Sequence, residues 1–140
     1  MFEELPRSRS ERMSFSILIV DDEPDIADLF RQRFRREVRQ GQYVLHFAES
    51  GEEALHRLAE IRPELIVILS DINMPGMDGL ELLREVRRLR PELPVLMVTA
   101  YGDDERRQCA DELGAAAFLS KPVDFDHLKQ QLVHLMRPNS

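Results

Sequence analysis

Polar residues that follow four short apolar runs in this sequence could together perform phosphoryl chemistry. The polar residues that follow these runs are Asp21 with Asp22, Asp71, Thr99 and Lys121. The apolar runs are predicted to be strands of a parallel sheet, and ligands of such sheets bind beyond the carboxyl ends of the strands. We therefore expect three carboxylates, a hydroxyl and an ammonium group to share one pocket for a divalent cation and a phosphoryl group.

The acidic cluster points to a magnesium-dependent reaction. Two like charges about 4 Å apart repel by about 4 kcal/mol at an effective dielectric near 20, and a cation removes that cost. Mg²⁺ binds one or two carboxylates and leaves positions for phosphate oxygens. Asp71 is the predicted nucleophile because it follows the most central strand, and its attack on phosphorus would form an aspartyl phosphate. Lys121 supplies positive charge, Thr99 a hydroxyl, and the small Ala100 leaves space for the incoming group.

The elements that must position these residues alternate between strands and helices. Strands are predicted over 17–20, 43–48, 65–70, 95–98 and 116–120, and helices over 25–40, 51–61, 80–89, 103–113 and 125–135. Ser50 with Glu53 matches a capping box, Asp124 is a predicted N-cap, and Gly41 and Gly114 are predicted to end helices. Right-handed β-α connections then predict a parallel sheet between layers of helices.

Two of the predicted helices differ in their apolar pattern. The helix over 80–89 is marked by Leu80, Leu83, Val86 and Leu89. The helix over 103–113 has an acidic start that suits the helix dipole, but among its residues Ala110 and Leu113 alone are clearly predicted to face inward.

Composition indicates an ordinary globular domain. The chain has 140 residues, 43% of them hydrophobic and 32% charged, and a net charge of -7, which argues against non-specific binding of nucleic acid. Its single cysteine, Cys109, excludes an internal disulfide. No apolar stretch reaches membrane-spanning length, so we expect a cytoplasmic protein without membrane contact. We divide the chain into a mobile arm over 1–14, a domain over 15–137 and a tail over 138–140.

Four motifs resemble the receiver domain of bacterial two-component response regulators. They are Ile-Val-Asp-Asp-Glu-Pro at 19–24, Asp-Ile-Asn-Met-Pro-Gly-Met-Asp-Gly at 71–79, Thr-Ala-Tyr-Gly at 99–102 and Lys-Pro at 121–122. Each motif alone is weak, whereas the four together are highly specific. The resemblance implies a CheY-like, flavodoxin-like α/β fold. Its five parallel strands would have the order 2-1-3-4-5, with five helices, two on one face and three on the other.

The resemblance also implies a metal site and a phosphodonor. Asp71 would accept a phosphoryl group from a sensor histidine kinase or a phosphotransfer protein. Asp22 and Asp71 would bind Mg²⁺ directly, Asp21 largely through water, and Asn73 through its backbone carbonyl.

The resemblance also implies residues that bind the phosphoryl group, residues that change position on phosphorylation, and residues that set the rate of dephosphorylation. Thr99 and Lys121 would bind phosphoryl oxygens, and Phe118 would turn inward as Thr99 moves. Asn73 and Tyr101 would tune the access of water beside Ala100. The peptide bond before Pro122 is often cis in the family.

The function that these residues predict is a phosphorylation-activated switch. Beyond its own phosphorylation and dephosphorylation the protein is not expected to be an enzyme. Phosphorylation would change a surface made by the helix over 103–113, the fifth strand and the last helix, and a protein target rather than DNA would bind there. Homodimerisation through this surface stays open, as does the choice between a stand-alone relay and a fragment of a longer regulator.

Other interpretations of the same residues remain. A phosphatase of the haloacid dehalogenase kind would place an acid two residues after its nucleophile, where this chain has Asn73. A pseudo-receiver would bind partners without phosphorylation, and a flavodoxin would need a phosphate-binding loop after its first strand. Asp21 and Asp22 could also be a simple helix start, and Tyr101 a surface aromatic. A cluster of arginines is most simply the solvent face of the third predicted helix: Arg84, Arg87, Arg88 and Arg90.

Overall fold

The five predicted strands form one parallel sheet in a computed structural model that describes residues 15–61 and 66–136. The strands are β1 Phe15–Val20, β2 Tyr43–Ala48, β3 Ile66–Asp71, β4 Val95–Thr99 and β5 Ala117–Ser120, in the order β2-β1-β3-β4-β5. This is the predicted strand order. The predicted arm over 1–14 and tail over 138–140 lie outside the described residues, as do Leu65 and Arg137.

In the described part of the chain, six helices flank the sheet, one more than the five predicted. They are α1 Asp25–Arg33, α2 Arg35–Arg39, α3 Gly51–Glu60, α4 Gly79–Leu89, α5 Asp104–Glu112 and α6 Phe125–Met136. The extra helix arises because the predicted helix over 25–40 is divided at Phe34, whose backbone leaves helical values at φ -105° and ψ 14°. The Phe34 ring is fully buried and packs against Phe30, Tyr43 and Phe125. We infer that seating this ring bends the helix, since α-helical hydrogen bonds continue on both sides of the division.

Side chains along each strand point alternately to the two faces of the sheet and form two cores, one on each face. In β1, Leu18 and Val20 face one core, and Ile17 and Ile19 face the other. The first core is covered by α3, α4 and α5, and the second by α1, by Phe34 at the junction of α1 and α2, and by α6. The predicted division into three helices and two is therefore confirmed, with the divided first helix counted once.

Local sequence signals set several of the helix ends. Ser50 accepts a hydrogen bond from the amide of Glu53 at 3.0 Å, and Asp124 accepts one from His127 at 3.2 Å, as predicted. The helix that Leu80, Leu83, Val86 and Leu89 marked is present; Leu89 at its end is 52% exposed, whereas Leu82, which the pattern did not include, is fully buried. None of the helices in residues 15–61 and 66–136 has the length and apolar character that crossing a membrane requires.

Candidate phosphoryl-transfer site

Three carboxylates meet at the carboxyl edge of the sheet. Asp21 and Asp22 follow β1, and Asp71 is the last residue of the central strand β3. Oxygen atoms of all three lie within 4.8 Å of one another, and Asp71 is only 5% exposed. Burial raises the pKa of Asp21, and the charge of Asp71 adds to this effect, although the Glu23 amide donates to Asp21 Oδ1 at 2.9 Å and opposes it.

Lys121 provides the positive charge of the site. Its Nζ donates to Asp71 Oδ2 at 2.8 Å, and its side chain is 39% exposed. Burial lowers the pKa of Lys121, but the hydrogen bond and charge of Asp71 outweigh this effect, and the pKa is raised overall. The Lys121–Pro122 peptide bond is cis, as expected.

Asn73 holds the other oxygen of Asp71 and also contacts the next loop. Its backbone amide donates to Asp71 Oδ1 at 3.1 Å. Its side-chain amide donates to both carboxylate oxygens of Asp103, at 3.2 and 3.1 Å. Both oxygens of Asp71 are thus fixed, one by Lys121 and one by Asn73.

The remaining predicted residues lie around this centre in different environments. Thr99 is 5% exposed and its hydroxyl donates to the carbonyl of Leu119 at 3.4 Å. Phe118 is half-buried, and the Arg107 guanidinium lies 4.7 Å from its ring centroid. Tyr101 is fully exposed to solvent. The structure therefore brings Asp21, Asp22, Asp71, Asn73 and Lys121 together.

Sequence reasoning missed two residues that organise the loops around Asp71. Asp103 was interpreted as part of an acidic helix start, yet its carboxylate accepts from the amide of Ala100 at 2.7 Å as well as from Asn73. Arg106 donates to Asp78 Oδ2 at 2.7 Å and to the Ile72 carbonyl at 3.1 Å. The contacts of Asp103 with Asn73 and of Arg106 with Asp78 and Ile72 join residues about 30 apart, and no local sequence pattern indicates them.

A cavity of about 690 Å³ opens beside the phosphoryl site. Asp71 and Lys121 line one part of it, and apolar side chains of α1 and of the segment after β5 line another, among them Ile26, Leu29 and Val123. Leu29 is 36% exposed, so part of this apolar lining faces solvent.

The donor set fits a hard divalent cation. Several carboxylate oxygens are close enough to share one ion, and Asp22 is exposed, which leaves access for water. Mg²⁺ prefers oxygen ligands and keeps several waters when it binds. Lys121 offers one positive charge to three carboxylates, so a cation would relieve the remaining repulsion.

The fold and the position of the acidic edge first define a flavodoxin-like α/β protein with its site at the carboxyl ends of the strands. The family model for the response regulator receiver domain matches residues 17–133. The chain therefore belongs to the response regulator receiver domain family of two-component systems. Phosphoryl transfer to an aspartate is the general function of this family.

Individual relatives agree with this membership. The chain is 35% identical to sporulation initiation phosphotransferase F of Bacillus subtilis over 117 residues, covering 84% of this chain and 90% of the relative. It is 40% identical to regulatory protein AtoC of Escherichia coli over 112 residues, 80% of this chain but 23% of that protein. The receiver domain of NtrX from Brucella abortus superimposes with a TM-score of 0.76 at 32% identity, over 88% of this chain and 99% of the other. The chain spans only about a quarter of AtoC, whose remaining length has no counterpart in this alignment.

Proposed function

We propose that Asp71 is the phosphoacceptor of this receiver domain. The observation that carries the proposal is the placement of a buried carboxylate between two further carboxylates and Lys121, with both of its oxygens hydrogen-bonded. A nucleophile held in this way needs little reorientation to attack phosphorus.

In the proposed reaction, Asp71 attacks a phosphohistidine of the donor protein. A carboxylate oxygen forms a bond to phosphorus while the P–N bond breaks, and the electron pair stays on the imidazole nitrogen, which then takes up a proton. Lys121 moves its hydrogen bond from Asp71 to a phosphoryl oxygen. The Thr99 hydroxyl turns from the Leu119 carbonyl to a second phosphoryl oxygen. Asn73 keeps the aspartyl group in place through its backbone amide.

Asp22 and Asp71 would hold Mg²⁺ directly, Asp21 through water, and Asn73 through its carbonyl. When bound, the ion would neutralise charge on the phosphoryl oxygens. The chain's own residues position the nucleophile and bind the product. Beyond the phosphorylation and dephosphorylation of its own Asp71 we propose no enzymatic turnover.

We place the donor on the apolar surface beside Asp71. Ile26, Leu29 and Val123 line the cavity next to the nucleophile, and an apolar face of a histidine-bearing partner would bury them. The partner would be a sensor histidine kinase or a phosphotransfer protein. We also propose a cytoplasmic location, which a single cysteine, Cys109, favours.

The output surface in this proposal is the α5–β5–α6 face, formed by Asp104–Glu112, Ala117–Ser120 and Phe125–Met136. Thr99 and Phe118 would report phosphorylation to it, with Ala100, Tyr101 and Asn73 setting the access of water. A protein target, or a second copy of the chain, would bind this face. The weak burial of α5 supports the choice, since a helix with few buried side chains moves at low cost.

The decisive test is phosphorylation by acetyl phosphate with Mg²⁺, followed by intact mass. The wild-type protein should gain one phosphoryl group, and the gain should disappear with a chelator or in Asp71→Asn. Asp111→Asn, an exposed carboxylate in α5, is the matched control and should still be phosphorylated. If the wild-type protein forms no adduct and also fails to bind beryllofluoride, the proposal is overturned and a pseudo-receiver is favoured. Sustained hydrolysis of a phosphate ester would instead favour a phosphatase.

A further inference from the structure

Asp103 occupies the N-cap position of α5 but makes unusual contacts for such a residue. An aspartate at an N-cap normally accepts hydrogen bonds from the amides of the first helical turn. Within the described part of the chain, Asp103 makes no side-chain capping bond to α5. Its carboxylate instead points back to the sheet edge, where it accepts from Ala100 at 2.7 Å and from the Asn73 side chain at 3.1 Å.

These two donors connect Asp103 to both halves of the proposed phosphoryl site. Asn73 also donates to Asp71 through its backbone, so a single residue links Asp103 to the phosphoacceptor. Ala100 directly follows Thr99, which is proposed to bind a phosphoryl oxygen. Asp103 therefore holds the loop after β4 against the loop after β3, while leaving the first turn of α5 without a side-chain cap.

We propose that Asp103 is a phosphorylation-sensitive latch, a positioning residue that alternates between this loop contact and the N-cap of α5. The proposal rests on phosphorylation of Asp71. A phosphoryl group adds a charge of about −1.5 to −2 and three acceptor oxygens. It repels the Asp103 carboxylate and competes for the same amide donors. The released carboxylate then turns to the amides of the first turn of α5, which it can reach without unfolding the helix.

Arg106 gives the latch a fixed partner on the same turn of α5. It holds that turn to Asp78 and to the Ile72 carbonyl. Its buried Nε has no hydrogen-bond partner in residues 15–61 and 66–136. A buried donor without a partner marks an arrangement that is not fully satisfied, as expected of one state of a two-state element. Movement of Asp103 would change the loop and the first turn of α5, and so the start of the α5–β5–α6 face.

The test compares Asp103→Ala with Asp103→Asn. Asn keeps an acceptor for Ala100 but loses the charge, whereas Ala loses the contact entirely. Asp103→Ala should bind beryllofluoride with Mg²⁺ at least about fivefold more tightly than wild type, because the ligand no longer has to break the latch. Asp103→Asn should show a clearly smaller gain. Equal gains in both variants would mean that charge alone acts and would overturn the latch.

The control for general charge is Asp104→Ala, which removes the neighbouring exposed acid. This variant should change the affinity for beryllofluoride less than Asp103→Ala does.

Amide hydrogen exchange supplies a second readout that affinity alone does not. On binding of beryllofluoride, the Arg106 amide of the wild-type protein should become more protected, since Asp103 now caps it. Asp103→Ala should show no such increase. A wild-type protein that binds beryllofluoride without added protection there would overturn the latch and leave Asp71 as phosphoacceptor. A protein that binds none and takes no phosphate from acetyl phosphate would overturn both proposals.

Discussion

The helices α4 and α5 lie side by side over the same core, yet their sequences attach them to it very differently. α4 buries Gly79, Leu80, Leu82, Leu83 and Val86, whereas α5, within the described residues, buries Ala110 alone. Each helix is preceded by an aspartate at its N-cap. Asp78 caps α4 by accepting from the Glu81 amide at 3.0 Å, while Asp103 accepts from the Asn73 side chain in the loop after β3 at 3.1 Å.

The difference shows that one layer of helices can contain a rigidly held helix and a helix whose contacts can change. α4 is fixed by apolar burial and by its cap, and so holds the loop that follows Asp71 in place. α5 buries little apolar surface and is also held by polar contacts of Arg106, which depend on charge and geometry and can be exchanged for others. Arg106 of α5 donates to Asp78 at the start of α4, so α5 would move relative to a helix that is itself held in place.

The largest difference should be in the cost of truncating an apolar side chain. Leu83→Ala in α4 removes a fully buried side chain, and the free energy of unfolding should fall by about 2–5 kcal/mol. Leu113→Ala, at the C-terminal end of α5, removes a half-buried side chain and should cost about 1 kcal/mol. Urea denaturation of both variants measures these costs. Equal losses would contradict the view that α4 and α5 are held by different forces.

Glycines at the starts of the two helices should differ in their effect on function. A Cβ at Gly79 would clash with the Asp71 carbonyl and lie 2.7 Å from the Ile72 Cα. The chain would have to shift there, so Gly79→Ala should cost about 1–3 kcal/mol in stability and strongly slow phosphorylation by acetyl phosphate.

Gly102→Ala is the comparison for this change. Gly102 has φ +95° and open space around it, so the alanine meets only backbone strain of about 1–2 kcal/mol. It should be phosphorylated much faster than Gly79→Ala despite a similar loss of stability. If both variants react at the same rate, the close packing of α4 under Asp71 does not position the nucleophile.

The contrast between the two helices also separates what the sequence could predict from what it could not. The apolar runs before Asp71 and Thr99 predicted the strands, because a central parallel strand is apolar on both faces. The division at Phe34 and the burial of Leu82 rather than Leu89 depend on which side chain fits a tertiary space. The contact of Asp103 with Asn73 and those of Arg106 cross about 30 residues of sequence, so only the folded arrangement of the loops could reveal them.

A smaller effect should distinguish the two N-cap aspartates. Asp78→Ala removes a cap that is in use, so the free energy of unfolding should fall by about 1 kcal/mol and the Glu81 amide should exchange faster. Asp103→Ala removes no cap in the unphosphorylated protein, so exchange at the Arg106 amide should stay unchanged. Faster exchange at Arg106 in this variant would show that Asp103 already caps α5 before phosphorylation.

The smallest expected effect is a pH dependence of stability from Asp78. Burial opposes ionisation, but the Glu81 amide and Arg106 outweigh it and lower the pKa of Asp78 below its ordinary value of 3.8. The unfolded chain therefore binds a proton at higher pH than the folded one. The carboxylate contributes stability above pH 3.8, and this contribution is lost as the pH falls through the folded-state pKa.

Asp78→Asn should therefore be less stable than wild type at pH 7, and the difference should shrink as the pH is lowered below 3.8. Arg106→Met should remove the part of this pH dependence that comes from the ion pair and leave the part that comes from the Glu81 amide. Urea unfolding of the three proteins at pH 7 and at about pH 3 measures both parts. An unchanged gap between wild type and Asp78→Asn at the two pH values would mean that neither the Glu81 amide nor Arg106 stabilises the charged form of Asp78.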